Sequence, residues 1–178
     1  GSIKAKSVKD YTVLVTVNGL QPNQWYYYQF TALSRNSLTG RTRTLPTTGV
    51  DSIRLAVVSC TNYQSGYFNV YRSIADRNDI DAIVHLGDFI YEYGKFGFGY
   101  DSTVNRVHDP KLETITLADY RRRHAQYRLD EDTRKMLQQY PLIAVWDDHE
   151  VANDAWMGGA DNHDPATEGD WNTRLAAA

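Results

Sequence analysis

Two short apolar runs separated by a helix-like segment constrain this chain more than any other feature. Ile53–Val58 is almost uninterrupted β-branched and aliphatic sequence, broken only by Arg54, and Ala82–Leu86 repeats that character. Between them Phe68, Tyr71, Ile74 and Ala75 recur at i, i+3, i+6 and i+7, one face of a helix ending near Asn78. Strand, helix and strand in this order form a βαβ unit, whose strands run parallel with a right-handed crossover. Continuous apolar strands also imply burial on both faces. At 178 residues the chain is long enough to bury roughly 70% of its unfolded surface.

The grammar extends in both directions. Thr116-x-x-Asp119 has the form of a capping box, opening a helix through Arg128 whose inner face is Leu117, Tyr120, His124 and Tyr127. Asp130 can cap a second helix, Glu131–Gln139, with Met136 and Leu137 inward. Pro141 stops it, and Leu142–Trp146 reads as a third buried strand. Leu175-Ala-Ala-Ala reads as helix. Between them, Gly94–Thr114 is Gly-rich and aperiodic, a length of loop that usually serves a site or partner.

Before Gly49 the pattern is β. Tyr11–Val17 alternates, Trp25–Leu33 is aromatic and β-branched, and Arg41–Leu45 suits a third strand. Three strands fall short of the roughly seven of a sandwich. The expected division is therefore residues 1–47, the end of a β-sandwich, and 48–178, an α/β unit. The Tyr26-Tyr27-Tyr28 run is read as cross-strand packing.

Composition removes several function classes. Net charge is −3, so no basic patch argues for nucleic acid. No apolar run approaches the ~20 residues that cross a bilayer, and the first residues carry no charged-then-apolar leader. A single cysteine excludes an internal disulfide.

The residues just past each strand carry the chemistry. The first strand runs into Ser59-Cys60-Thr61-Asn62-Tyr63, the second into Gly87-Asp88 with Tyr91 and Glu92 beyond, the third into Asp147-Asp148-His149-Glu150. In parallel α/β sheets the carboxyl ends of strands share one edge, where ligand sites collect. Thiol, phenol, carboxylate and imidazole on one rim are metal-ligand types. Singly each residue has a plainer reading. Cys60 suits a small buried hydrophobe, Asp88 a turn residue and His149 a core histidine. Adjacent carboxylates at 147 and 148, however, repel unless a cation or donors neutralise them. Arg121-Arg122-Arg123 reads as a solvated helix face, His124 and His85 as packing residues, and His108 and His163 carry no assignment.

These motifs resemble the alkaline phosphatase D (PhoD-like) family of metallophosphatases. The matching stretches are Ser59-Cys60-x-x-Tyr63-x-x-Gly66, His85-Leu86-Gly87-Asp88-Phe89-Ile90-Tyr91-Glu92, Asp119-Tyr120-Arg121-x-Arg123-His124-Ala125-x-Tyr127 and Trp146-Asp147-Asp148-His149-Glu150-Val151-x-Asn153. The resemblance implies an α/β metallophosphoesterase-like fold with βαβ units and a partial sheet, preceded by the end of a fibronectin- or Ig-like sandwich. It implies hydrolysis of phosphate mono- or diesters by metal-activated water. By position it implies Cys60 and Tyr63 on Fe3+, Asp88 bridging metals, Asp148 on Ca2+, and His149 as the catalytic histidine. Tyr67 is the alternative to Tyr63, and Asn153 stands at most behind the ligands. Spacing alone also permits zinc or manganese. Family members are mostly exported, which implies an extracellular or periplasmic location. The family's remaining metal-binding residues lie C-terminal of its Trp-Asp-Asp-His-Glu motif. The chain is therefore expected to be part of a larger enzyme, poorly active alone and prone to self-association through open sheet edges. The alternative is a non-catalytic binding or scaffold module that keeps the metallophosphatase shape.

Overall fold

The computed structural model describes residues 1–178. Its centre is a three-stranded parallel sheet in which β6 (Ala82–His85) lies between β5 (Leu55–Val58) and β7 (Leu142–Ala144). Leu55 pairs with Ala82 and Ile83 with Leu142, so both registers run parallel. Helix α1 (Asn69–Ala75) connects β5 to β6, giving the strand–helix–strand order that the apolar periodicity predicts. Helices α2 (Leu117–Leu129) and α3 (Glu131–Gln139) lie between β6 and β7. Thr116 and Asp119 form the capping box, and Asp130 accepts from the Asp132 and Thr133 amides to start α3. No helix or strand interrupts residues 86–116.

One core joins these elements: Tyr71 and Ile74 of α1, Ile83 of β6, Tyr120 and Tyr127 of α2 and Met136 of α3, with Phe68, Phe89 and Ile90. The strands are not all buried on both faces as their composition predicts. Only β6 is; in β5 the residues Ala56 and Val58 turn inward while Leu55 and Val57 are exposed, and Ile143 of β7 and Val145 just past it are exposed. Helices cover one face of the sheet, and the apolar residues of the other face meet solvent.

The expected inner face of α2 is also revised. Tyr120 and Tyr127 are buried, but Leu117 is exposed and Arg123 is fully buried. The guanidinium of Arg123 is inside because the irregular 91–112 segment offers it carbonyls, those of Tyr91, Asp109 (3.2 Å), Pro110 (3.0 Å) and Leu112 (3.4 Å). A five-donor fork satisfies backbone acceptors that no regular element would pair.

Before residue 50 the structure holds two small antiparallel pairs, β1 (Trp25–Tyr28) with β4 (Gly40–Arg43) and β2 (Thr31–Ala32) with β3 (Arg35–Asn36). The expected strand over Tyr11–Val17 does not form. The backbone turns at Asp10 and Tyr11, both left-handed, and Val13, Val15 and Val17 are exposed. Alternation specifies a strand only where a neighbouring ladder and an apolar face receive it. The β1–β4 ribbon docks on the end of α3: Arg41 donates to the Gln139 carbonyl (3.3 Å) and lies over the Trp25 ring, and Gln138 donates to the Thr39 carbonyl (2.7 Å). Near the C-terminal end lie α4 (Pro165–Glu168) and α5 (Trp171–Ala177), and Trp171 of α5 packs in a smaller cluster with Val151, Ala152 and Ala160.

Candidate metal centre

Each strand of the parallel sheet ends in a tight change of direction, and these ends are tied to one another. Cys60 and Asp88 both adopt left-handed backbone (φ 54° each), and Gly87 between β6 and Asp88 sits at φ 104°. Non-glycine residues rarely take that conformation, and they concentrate where surrounding structure over-determines it. Here it does. The Cys60 amide donates to the Gly87 carbonyl (3.2 Å) and the Thr61 amide to the Asp88 carbonyl (2.9 Å). A Cβ on Gly87 would lie 2.5 Å from the Asp147 amide nitrogen, so only glycine lets the third strand end come this close.

Glu150 completes the tie. Its Oε2 accepts from the amides of Asp88 (2.9 Å) and Asp147 (2.8 Å), and its Oε1 from those of Phe89 (2.5 Å) and Ile90 (3.3 Å). A buried carboxylate thereby clamps the loop after β6 to the loop after β7. Burial lifts its pKa despite these four donors.

The clamp brings ligand atoms of Asp88, Asp148 and His149 within 4.8 Å of one another. Asp88 Oδ2 accepts from the Tyr91 hydroxyl (3.1 Å), while Asp88 Oδ1 is buried without a partner. Burial raises the Asp88 pKa, against the opposing pull of His149, Tyr91 and Cys60. The Cys60 thiol neighbours both Asp88 and Tyr91, although the residue is exposed at the rim. Burial first, then the Asp88 charge, drives the Tyr91 phenol upward in the absence of a cation.

His149 is held from behind. Glu92, fully buried, accepts from Nδ1 at 2.8 Å, which leaves Nε2 as the free ring nitrogen. The ring also packs on Tyr91, with centroids 4.2 Å apart. Burial lowers the His149 pKa, but the Glu92 bond and the charges of Glu92, Asp88 and Asp148 outweigh it, and the net direction is up.

Of the residues expected from sequence, Asp88, Asp148 and His149 converge and Cys60 joins them at the rim. Tyr63 does not. Its ring lies against Phe68, His108 and Tyr127 with the Arg106 guanidinium 3.7 Å from its centroid, so it belongs to the core. Tyr67 is exposed beside the same guanidinium, 5.0 Å from its ring centroid. The phenol at the site is Tyr91. It lies three residues past Asp88 and folds back on that carboxylate, a placement that the sequence spacing does not distinguish from that of Tyr63 after Cys60. Asn153 donates its backbone amide to Glu92 Oε1 (2.8 Å) and stands behind His149. Arg123 and Glu92 are further residues whose burial sequence pattern alone did not reveal. His85 packs as expected, with Nε2 3.0 Å from the Tyr71 hydroxyl.

The sequence and the fold are similar to those of known proteins. The sequence model described as PhoD-like phosphatase matches residues 55–178, and that of the PhoD-like phosphatase N-terminal domain matches residues 1–46. The chain belongs to the PhoD-like phosphatase family. It is 41% identical over 155 residues to alkaline phosphatase D of Bacillus subtilis (strain 168), a match that covers 86% of this chain and 26% of that protein. A solved structure of PhoD superposes with a TM-score of 0.81 at 39% identity, over 90% of this chain and 31% of the other. The chain thus spans about a quarter to a third of the length of these PhoD-like relatives. No helix in it is long and apolar enough to cross a membrane.

Proposed function

We propose that this chain carries the first part of a metal-dependent phosphoric ester hydrolase site, acting on phosphate mono- or diesters in the full-length protein. The observation that carries this reading is the meeting of Asp88, Asp148 and His149 within 4.8 Å, at the ends of two parallel strands. The donor set fits a metal: Asp88 Oδ1 is buried and unpartnered, and Cys60 and Tyr91 offer a thiolate and a phenolate beside its other oxygen. Anionic sulfur and phenolate oxygen suit a trivalent ion, and carboxylates suit a hard divalent one. On this reading Cys60, Tyr91 and Asp88 would hold Fe3+, in place of the expected Cys60 and Tyr63. Asp88 and Asp148 would hold Ca2+. Such ions supply Lewis acidity toward phosphoryl oxygens and lower the pKa of water.

The chain's own residues do the rest. Glu150 and Gly87 fix the Asp88 carboxylate relative to Asp148. Glu92 occupies His149 Nδ1 and so dedicates Nε2 to the ester. As a water that gives up one proton to solvent bonds to phosphorus and the ester P–O bond breaks, a protonated Nε2 gives its proton to the departing alkoxide. The Glu92 carboxylate bonded to Nδ1 favours the protonated ring. No covalent phosphoenzyme is needed. Residues 1–47 and 48–178 are read as two units, and export is inferred from the family resemblance alone.

The test uses the full-length enzyme. Elemental analysis should find iron with calcium, and Cys60→Ala and Tyr91→Phe should each lose iron and phosphatase activity on p-nitrophenyl phosphate, whereas Tyr63→Phe retains both. Survival of iron and activity in Cys60→Ala and Tyr91→Phe would end this reading.

A further inference from the structure

Behind Glu92 lies a buried polar array that takes no direct part in holding a metal or an ester. Asn162, in the loop before α4, sends its amide nitrogen to two carboxylates, Glu92 Oε1 (2.7 Å) and Glu113 Oε1 (3.1 Å). Glu113 in turn accepts from Arg174 of α5 at 2.7 Å. Arg174 is 1% exposed and spends its remaining donors on Glu168 (2.7 Å) and the Tyr120 hydroxyl (3.1 Å). The contacts of Glu113 and Arg174 thus reach the Glu92 carboxylate through Asn162, and Glu92 faces the imidazole of His149.

The chemistry of this array is specific. Two carboxylates approach a common point, and only a donor placed between them lets both stay there. Asn162 is that donor. Its two amide hydrogens go to the two carboxylates, and Oδ1 is left buried without a partner. A carboxamide kept at the expense of an unpaired carbonyl oxygen indicates that the N–H side is what the position requires. Without it, Glu92 keeps the Asn153 backbone amide (2.8 Å) and the His149 ring as donors but loses the one that offsets repulsion from Glu113, which loosens the ring it holds.

We propose that Asn162 is a positioning residue for His149. Seated by Glu113 and Arg174, it fixes the Glu92 carboxylate, which fixes the imidazole with Nε2 toward Asp88 and Asp148. The proposal rests on the phosphoesterase reading of the site. It predicts that α4, α5 and their loop serve the chemistry without touching the ester. The relevant magnitude is that of residues standing behind functional histidines, whose loss typically lowers activity about 10- to 100-fold.

A double-mutant cycle in the full-length enzyme tests it, with p-nitrophenyl phosphate and ethyl phosphate as substrates. Asn162→Ala should lower kcat about 10- to 100-fold and leave KM nearly unchanged. The loss should be larger for ethyl phosphate, whose alkoxide needs a proton more than p-nitrophenolate does. In a His149→Ala background the same substitution should do little, because both act through one ring. Asn162→Asp, which keeps the size and brings a third carboxylate to the same point, should show the same dependence on background, and it decides the matter if Asn162→Ala does not fold. Equal losses with and without His149, or full activity of both Asn162 variants beside a crippled His149→Ala enzyme, would overturn the inference alone. An undiminished His149→Ala enzyme would instead overturn the phosphoesterase role of His149, and this inference with it.

Discussion

Replacing Glu150 by glutamine isolates the clamp between the second and third strand ends. The side chain keeps its shape, but one of the two oxygens becomes an amide nitrogen. In the structure each oxygen accepts two backbone amides, Asp88 and Asp147 on one, Phe89 and Ile90 on the other. Whichever way the new amide turns, two backbone N–H groups face another N–H and lose their acceptor. An unsatisfied buried donor costs about 1–3 kcal/mol, so the loss is roughly 2–6 kcal/mol in all. A neutral amide is cheaper to bury than a carboxylate, and the raised Glu150 pKa shows that burial weighs heavily here. The lower part of the range is therefore expected, about 2–4 kcal/mol, which in a chain of this size lowers Tm by roughly 4–16 °C. Thermal unfolding followed by circular dichroism reads the total. Hydrogen exchange locates it, with faster exchange at Asp88, Phe89, Ile90 and Asp147 and unchanged protection inside β6. A Tm within about 1 °C of the parent, with those four amides still protected, would show that the carboxylate does not hold the strand ends together.

Three further perturbations probe the same geometry. Burial lowers the His108 pKa to about 3, the ring standing neutral between the Tyr93 carbonyl (2.8 Å) and the Tyr127 hydroxyl (3.0 Å). Below pH ~6.5 the unfolded chain takes up a proton there that the folded chain refuses, so stability falls as pH falls, by on the order of 2 kcal/mol between pH 7 and 5. His108→Gln should flatten that limb of a Tm–pH plot, and an unchanged slope would refute the assignment. Gly87→Ala places a methyl group 2.5 Å from the Asp147 amide at φ 104° and should destabilise by roughly 2–4 kcal/mol in urea unfolding; a neutral result would mean that the strand ends can separate freely. Arg123→Lys exchanges a fork for a point donor among the carbonyls of Tyr91, Asp109, Pro110 and Leu112. It should make residues 91–112 markedly more sensitive to limited proteolysis, and equal sensitivity would argue that the loop holds itself.

Local signals proved readable where the physics is local. The Thr116–Asp119 box, the Asp130 cap and the helix-breaking Pro141 each depend on a few neighbouring residues, and each lies where the sequence pattern puts it. Parallel pairing of β5, β6 and β7 is likewise legible in composition. Burial is not, because a residue's exposure depends on how many layers cover it. Val57 and Ile143 have core composition and lie exposed on the open face. Arg123 has surface composition and lies inside, because an aperiodic loop supplies it with carbonyl acceptors that no sequence period reveals. The two tyrosines make the same point at the candidate site. Tyr63 and Tyr91 both come soon after a strand end, and spacing does not rank them. A left-handed residue precedes each by three positions, Cys60 and Asp88, so the turn does not separate them either; Tyr63 enters a short 3-10 turn that carries its ring into the aromatic core, whereas Tyr91 reaches back to the Asp88 carboxylate.

That contrast bears on how such a site stays in place. Left-handed backbone at Cys60 and Asp88 costs on the order of 1–3 kcal/mol at each residue, and nothing local repays it. The compensation is distributed: Glu150 spans two loops, Cys60 and Thr61 donate to carbonyls of the second strand end, and Glu92 anchors the histidine delivered by the third. Each strand end is thus held by atoms of another, so the ligand atoms of Asp88, Asp148 and His149 cannot relax separately. Like-charged groups packed this closely repel, and a scaffold of separate loops would let them drift apart. A mutually bonded rim keeps them together, so on the proposed metal-site reading a cation would meet ligands already ordered by the fold.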